Sequence, residues 1–417
     1  MIENKIEIMS PVGNFETLAA AIQGGADSVY FGVEQLNMRA KSANNFKISD
    51  LNEIAKICKK NNIKSYLALN TIIYDHDLKL MRHLISEAKN ANINAIIASD
   101  LAVIIEARKQ NIEVHASTQL NISNIEALKF YSQFVDVAVL ARELTLKQTR
   151  HIYDTIRKEQ IKGPSGNLIK LEIFAHGALC MAISGKCYLS LHEFNSSANR
   201  GACQQTCRHA YRVTDIETGY QLEIDNEYIM SPKDLATFDF LDKVLDSGIS
   251  VLKIEGRARP PEYVKTVTKV YREAVEAVQN NSYSKEKIEI WRKKLSRVFN
   301  RGFWDGYYLG RKLGEWSKEY GSKATRKKQF IGNITNFFSK LSVAEIQIKA
   351  DNLQINDEIL IIGPTTGAVE TTVEEIRKDL KNVPFATKGD TVSIPVPKKV
   401  RRADKLYKLV KTKYANQ

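Results

Sequence analysis

Short apolar runs alternate with helix-spaced segments through the first 280 or so residues. The runs lie at residues 6–9, 28–31, 64–69, 95–98, 113–116, 136–140, 171–175 and 251–254, and most are rich in β-branched or aromatic side chains. Runs this short, without polar alternation, are the pattern of strands buried on both faces of a parallel sheet. Residues 14–23, 48–59, 77–90, 101–109 and 123–131 carry helical spacing and helical length between them. Turn signals such as Gly24-Gly25-Ala26 and Ser247-Gly248-Ile249 stand before strands. Eight strands separated by helices predict an α/β fold, a TIM-like (β/α)8 barrel. An open doubly wound sheet is the competing architecture. Its dinucleotide-binding form is weakened because no strand runs into a G-x-G-x-x-G turn.

In such a barrel the chemistry gathers at the C-terminal ends of the strands. There the sequence places Ser10-Pro11, Gly32, Asn70, Asp100, Ser117-Thr118-Gln119, Arg142-Glu143, His176-Gly177 and Glu255-Gly256-Arg257. Helix caps and turns compete for some of these positions. The seventh strand is followed by a long interruption, residues 177–228, before a helix expected over 234–245. Residues 284–328 read as a helical, aromatic connector containing Phe303, Trp304, Tyr307 and Tyr308. From 329 to 417 the texture changes to short alternating strands, which predicts a small antiparallel β-barrel ending in the basic run Lys398-Lys399-Val400-Arg401-Arg402. The expected plan is a barrel over 1–283, the connector, and a basic β-barrel domain.

Composition adds compartment and partner. Hydrophobic residues make up 43% and charged residues 26%, as in soluble globular proteins. No apolar run is long enough to span a membrane, and Met1-Ile2-Glu3-Asn4-Lys5 lacks the layout of a signal peptide. A cytoplasmic location is therefore expected. The net charge is +13, and residues 311–417 hold 21 Lys+Arg against 12 Asp+Glu. A basic appendage on a nearly neutral body suggests a polyanion such as nucleic acid, against the plainer reading of a solubilising surface.

Four of the five cysteines fall in the interruption, spaced Cys180-x6-Cys187-x15-Cys203-x3-Cys207. In a reducing compartment clustered cysteines suggest metal or redox chemistry before disulfides. Structural zinc sites usually show two tight cysteine pairs, and only the last pair approaches that. Wider spacing suits loops wrapped around an iron–sulfur cluster, with zinc and disulfides as competing readings. Gly177, Gly185 and Gly201 would let the backbone bend there, and Lys186, Arg200 and Arg208 would offset thiolate charge. Cys58 lies in a helical pattern and is expected to be a core thiol.

Glu172-Ile173-Phe174-Ala175-His176-Gly177-Ala178-Leu179-Cys180 with Gly185-Lys186-Cys187-Tyr188-Leu189-Ser190 resembles the signature of the U32 peptidase-like family. Further similar segments are Ser10-Pro11-Val12-Gly13, Asn199-Arg200-Gly201-Ala202-Cys203-Gln204, Met230-Ser231-Pro232-Lys233-Asp234-Leu235 and Lys253-Ile254-Glu255-Gly256-Arg257. The resemblance covers nearly the whole chain. It implies oxygen-independent hydroxylases that carry a 4Fe–4S cluster on cysteines at the positions of Cys180, Cys187, Cys203 and Cys207. Members act on tRNA uridine, ribosomal RNA cytidine or the ubiquinone ring, although the family takes its name from collagenase-like peptidases. Length and the C-terminal β-barrel are most similar to the tRNA-hydroxylating branch, which makes 5-hydroxyuridine at the wobble position with prephenate.

A peptidase needs an activated nucleophile or a metal-bound water, and neither H-E-x-x-H nor G-x-S-x-G occurs. A hydroxylase of the implied kind needs an electron source, an oxygen donor and a base pocket. Arg142, Arg257 and Arg39 are candidate anchors for an acidic donor. Glu255 and Glu143 are candidate acids or bases, and His176 a candidate proton shuttle or hydrogen-bond donor to the cluster. Asn70 and Gln119 are candidates to read a base edge or bind the donor. Salt bridges, caps and core packing are the alternatives for each. Expected partners are tRNA, through the basic β-barrel, and an electron donor. The connector aromatics are expected to pack between the two domains rather than stack on bases. A third reading makes the chain an RNA-binding protein whose cluster is only structural or redox-sensing.

Overall fold

The computed structural model describes residues 5–41, 44–209, 211–219, 221–224, 231–310, 315, 317 and 321–416. The expected leaderless N-terminus (Met1 to Asn4), the end of the insertion at Tyr228, and Met230 lie outside the described residues.

The apolar runs become strands β1 (Glu7–Pro11), β2 (Ser28–Phe31), β3 (Lys64–Leu69), β4 (Ala95–Ala98), β5 (Glu113–Ala116), β6 (Val137–Val139) and β7 (Lys170–Ala178). A hairpin, β8 (Tyr211–Thr214) with β9 (Gln221–Ile224), then precedes β10 (Asp234–Ala236) and β11 (Val251–Ile254). β1 to β7 pair in parallel in chain order, and β11 pairs with both β7 and β1, which closes a ring of eight. The open doubly wound alternative is thereby excluded.

Period two sorts the side chains. Met9, Tyr30, Tyr66, Ile97, Val137 and Val251 fill the barrel. Val29, Phe31, Leu67, Leu69, Leu252 and Ile254 join a larger core beneath the helices. Helix starts follow local chemistry: Asn14 makes a capping box on Phe15–Gly24, and Gly25 ends that helix at φ +81°. Asp100 is such a cap, accepting from Ala102 N at 2.9 Å, which answers its place among the strand-end polar residues.

Two expectations need correction. β7 does not stop at Ala175 but continues to Ala178, and residues 234–236 form a strand, with the helix beginning only at Leu241 (Leu241–Asp246). β10 runs antiparallel along the end of β7, pairing Asp234 with Ala178 and Ala236 with His176. A short parallel strand, β12 (Phe303–Trp304), covers its other edge. Tertiary pairing here overrides the local helical pattern.

The expected C-terminal β-barrel is an eight-stranded antiparallel sheet running from Gly367–Thr372 to Lys381–Asn382 through a long central strand, Arg326–Phe338. Its apolar positions, among them Ile331, Ile346, Ile361, Val392 and Leu406, share one core. It meets the barrel where Gln23 Nε2 donates to Thr366 O at 2.7 Å and Lys265 Nζ to Ala368 O at 2.6 Å. The connector aromatics do not fill that junction. Tyr308 is buried on the barrel and donates to Phe174 O at 2.8 Å, and Phe303 packs on Phe238. No described helix is long and apolar enough to cross a membrane.

Candidate active site at the barrel mouth

A cavity of ≈ 170 Å³ opens at the C-terminal ends of the strands, roofed by the insertion. Arg39, Asn70, Gln119, Arg142, Glu255 and Arg257 line it, together with Cys180, Cys187, Cys203 and Cys207. Residues about half the chain apart thus meet where the barrel rule places chemistry.

The insertion is held down by specific contacts. Gly201, at φ +82°, lies so close to the β2 loop that a Cβ would come within 2.2 Å of Asn37 O. Gly185, at φ +78°, passes Gln119 in the same way. What these two glycines visibly permit is close approach to the barrel loops. Arg200 binds Asp77 at 2.6 Å and Ile72 O at 2.6 Å. It ties the insertion to the barrel, a correction to its expected role beside the thiolates. Arg208 donates to Leu179 O, Ser231 Oγ and Pro232 O at 2.7–2.9 Å. Its charge also faces Cys207 and Cys180.

The four cavity cysteines are free thiols, one exposed and three half-buried, whereas Cys58 is buried in the core as expected. Cys207 lies near enough to the other three to feel their charge, although burial is the main force pushing its thiol up to about 11. No group of three or more His, Cys, Asp or Glu side chains among the described residues is drawn tightly enough to hold a single metal ion. Four free thiols on one cavity wall are a donor set of the kind that holds an iron–sulfur cluster or zinc.

Across the cavity Glu255 is the hub. Arg39 Nη2 donates to its Oε1 at 2.8 Å, and Tyr30 Oη to its Oε2 at 3.1 Å. Burial alone would raise its pKa, but the Arg39 and Arg257 charges outweigh it and hold the carboxyl below the ordinary range. Glu255 is therefore ionised at neutral pH. Arg257 donates to Asn37 Oδ1 at 3.0 Å, and burial lowers its pKa to about 10. Arg142 stands over the Phe174 ring at 5.8 Å and has no carboxylate partner among the described residues. Asn70 Nδ2 donates to Ser117 Oγ and Gln119 Oε1, both at 3.3 Å, so the two amides form one polar shelf.

Two candidates fall outside the cavity. Glu143 is exposed and does not line it. His176 is buried among Tyr263, Tyr271 and Phe303. The β7–β11 register slips so that Lys253 faces Phe174 but Ile254 faces His176. That bulge turns His176 to the helix-covered side with Ile254, and burial lowers its pKa to about 4.

Lys253 was not singled out by the sequence reading, yet its ammonium lines the cavity floor, 2.8 Å from Glu172 Oε1 and 4.6 Å from the Tyr30 ring centroid. The available signal was a charged residue at an interior position of two otherwise apolar strands.

The profile of Peptidase family U32 matches residues 13–318. A Porphyromonas gingivalis protein named collagenase is 59% identical over 98% of this chain and 99% of its own. A Bacillus subtilis protein named tRNA hydroxylation protein P1 is 32% identical, with 90% of this chain and 88% of that one covered. The Escherichia coli 23S rRNA 5-hydroxycytidine C2501 synthase is 30% identical over 89% of this chain but only 55% of its own length. With the family profile spanning most of the barrel and its insertion, the chain belongs to peptidase family U32.

Proposed function

We propose that the chain is an oxygen-independent RNA hydroxylase that forms 5-hydroxyuridine at the tRNA wobble position. In this reading prephenate is the oxygen donor, and Cys180, Cys187, Cys203 and Cys207 hold a 4Fe–4S cluster. The observation that carries it is the convergence of four free thiols, an ionised Glu255 and four arginines, Arg39, Arg142, Arg208 and Arg257, on one cavity at the barrel mouth. Relatives named for tRNA and rRNA hydroxylation support an RNA substrate.

A cluster bound there would supply one-electron transfer, fed by an external electron donor. The chain's own residues do the rest. Arg142, with no carboxylate to neutralise it among the described residues, and Arg257 receive the carboxylates of the donor. Arg39 is committed to Glu255 and keeps that carboxylate charged and aimed, so Glu255 accepts a proton rather than giving one. The Asn70–Gln119 shelf meets the edge of the base.

Proteolysis is the second reading, favoured by the name of the 59% identical relative. The cavity works against it: among the described residues no histidine lines it to activate a cysteine or serine.

Mass spectrometry of tRNA nucleosides decides, comparing a strain lacking the gene with its parent and with a strain complemented by Cys203→Ala. Loss of 5-hydroxyuridine or its derivatives, unrestored by the variant, is expected. An unchanged profile where no redundant pathway exists removes the tRNA substrate. Cleavage of gelatin by the purified protein would then favour the second reading.

A further inference from the structure

A second cavity lies behind the cysteine segment. Gln205 and Arg208 line both cavities, so the wall between them is the single segment 204–208 that carries Cys207. Arg259, Arg301 and Phe299 form the far side, with Gln204 at the rim.

The three arginines are not equivalent. Arg208 spends its guanidinium on Leu179 O, Ser231 Oγ and Pro232 O. Arg301 reaches Asp234 Oδ1 at 3.4 Å. Arg259 lies over the Phe299 ring, 3.5 Å from its centroid, and has neither a hydrogen-bonded nor a carboxylate partner for its guanidinium among the described residues. The charges of Asp234 and, more weakly, Glu255 reach Arg259, but neither lines the cavity, and no acidic residue does among the described residues. The ring holds the Arg259 plane in place and leaves its N–H edge free. Because Arg259 and Arg301 both stand over Phe299, the ring is not offered to a base. The wall asks for an anion, not an aromatic.

We propose that this second cavity binds a phosphodiester of the RNA strand whose target base enters the cysteine-lined cavity, with Arg259 as its principal donor. The inference rests on the RNA reading above and adds a site to it. The wall shared by the two cavities puts a backbone contact beside the base pocket, and such contacts set register without reading sequence. Burial depresses the Arg259 pKa more than the charges of Asp234 and Glu255 raise it, and a phosphate against its free N–H edge would relieve that cost.

The test uses the full chain and a fluorescein-labelled RNA stem–loop with uridines in its loop, followed by anisotropy over a salt series. Arg259→Gln is expected to weaken binding roughly tenfold and to lower the slope of log affinity against log salt by about one. Arg259→Lys should recover most of the slope. Gln204→Glu alters an exposed rim residue whose side chain donates to Ser196 Oγ at 3.3 Å, and should weaken binding by a similar factor, which covers the case of a misfolded Arg259 variant. Wild-type affinity and slope in both Arg259→Gln and Gln204→Glu would overturn the site. That result would leave the hydroxylase reading intact, since the nucleoside profile tests it separately.

Discussion

His176 shows what burial does to a group that sequence alone marks as catalytic. Its ring is shut among three aromatics, and its pKa falls to about 4. The unfolded chain keeps the ordinary value near 6.5. The folded protein therefore favours the neutral ring. That contribution is full above pH 6.5 and is lost as pH falls toward 4. Between pH 7 and pH 5 the wild type is expected to lose about 2 kcal/mol more stability than His176→Phe in urea unfolding. Equal losses would show that the ring is not held neutral. The other strand-end candidates were legible because a residue just beyond a buried strand must emerge at the mouth, as Asn70 and Arg257 do. His176 was not, since the bulge in β7 reverses its side and nothing local announces a register slip. Nor was the division of labour among Arg39, Arg142 and Arg257 readable, because it depends on where Glu255 and Asn37 arrive from.

At the scale of elements, the seam between β7 and β11 closes the barrel, and an ion pair spans it. Glu172 and Lys253 meet at 2.8 Å with side-chain exposures of 0% and 6%. Glu172 Oε2 accepts no hydrogen bond among the described residues. Removing one member strands a charge inside the ring, so Glu172→Leu is expected to cost about 3–5 kcal/mol. Glu172→Leu with Lys253→Met should restore most of it, because two apolar side chains can fill the same space without desolvating ions. Chemical denaturation of the two variants checks this, and a double variant no more stable than the single one would refute the seam argument. Buried parallel strands announce themselves as unbroken apolar runs, which is why the eight-strand ring could be read in advance. β10 could not, for three residues paired to a neighbour leave no periodic trace of their own.

Over the whole molecule the charge is lopsided, and the fold gives that excess a place. Lys399, Arg401 and Arg402 stand exposed along a groove also lined by Thr335, Asn336 and Phe337, while Val400 between them is buried and pins the run to the sheet. The sheet that carries the groove rests on the barrel through Gln23, Lys265 and the Lys328–Glu262 pair at 2.9 Å. A basic face fixed to a catalytic barrel would hold a polyanion by its phosphates while the mouth selects a base. Each phosphate neutralised releases counterions, so the slope of log affinity against log salt counts contacts. Replacing Lys399, Arg401 and Arg402 together with Gln should lower that slope by about two to three for a tRNA ligand. The three side chains are exposed and Val400 is left in place, so the thermal unfolding midpoint should stay put. At saturating tRNA the modified nucleoside should still form, since the cavity residues are untouched. An unaltered slope would assign the electrostatic grip to the barrel mouth and its arginines alone, and would leave the C-terminal charge as a solubilising surface.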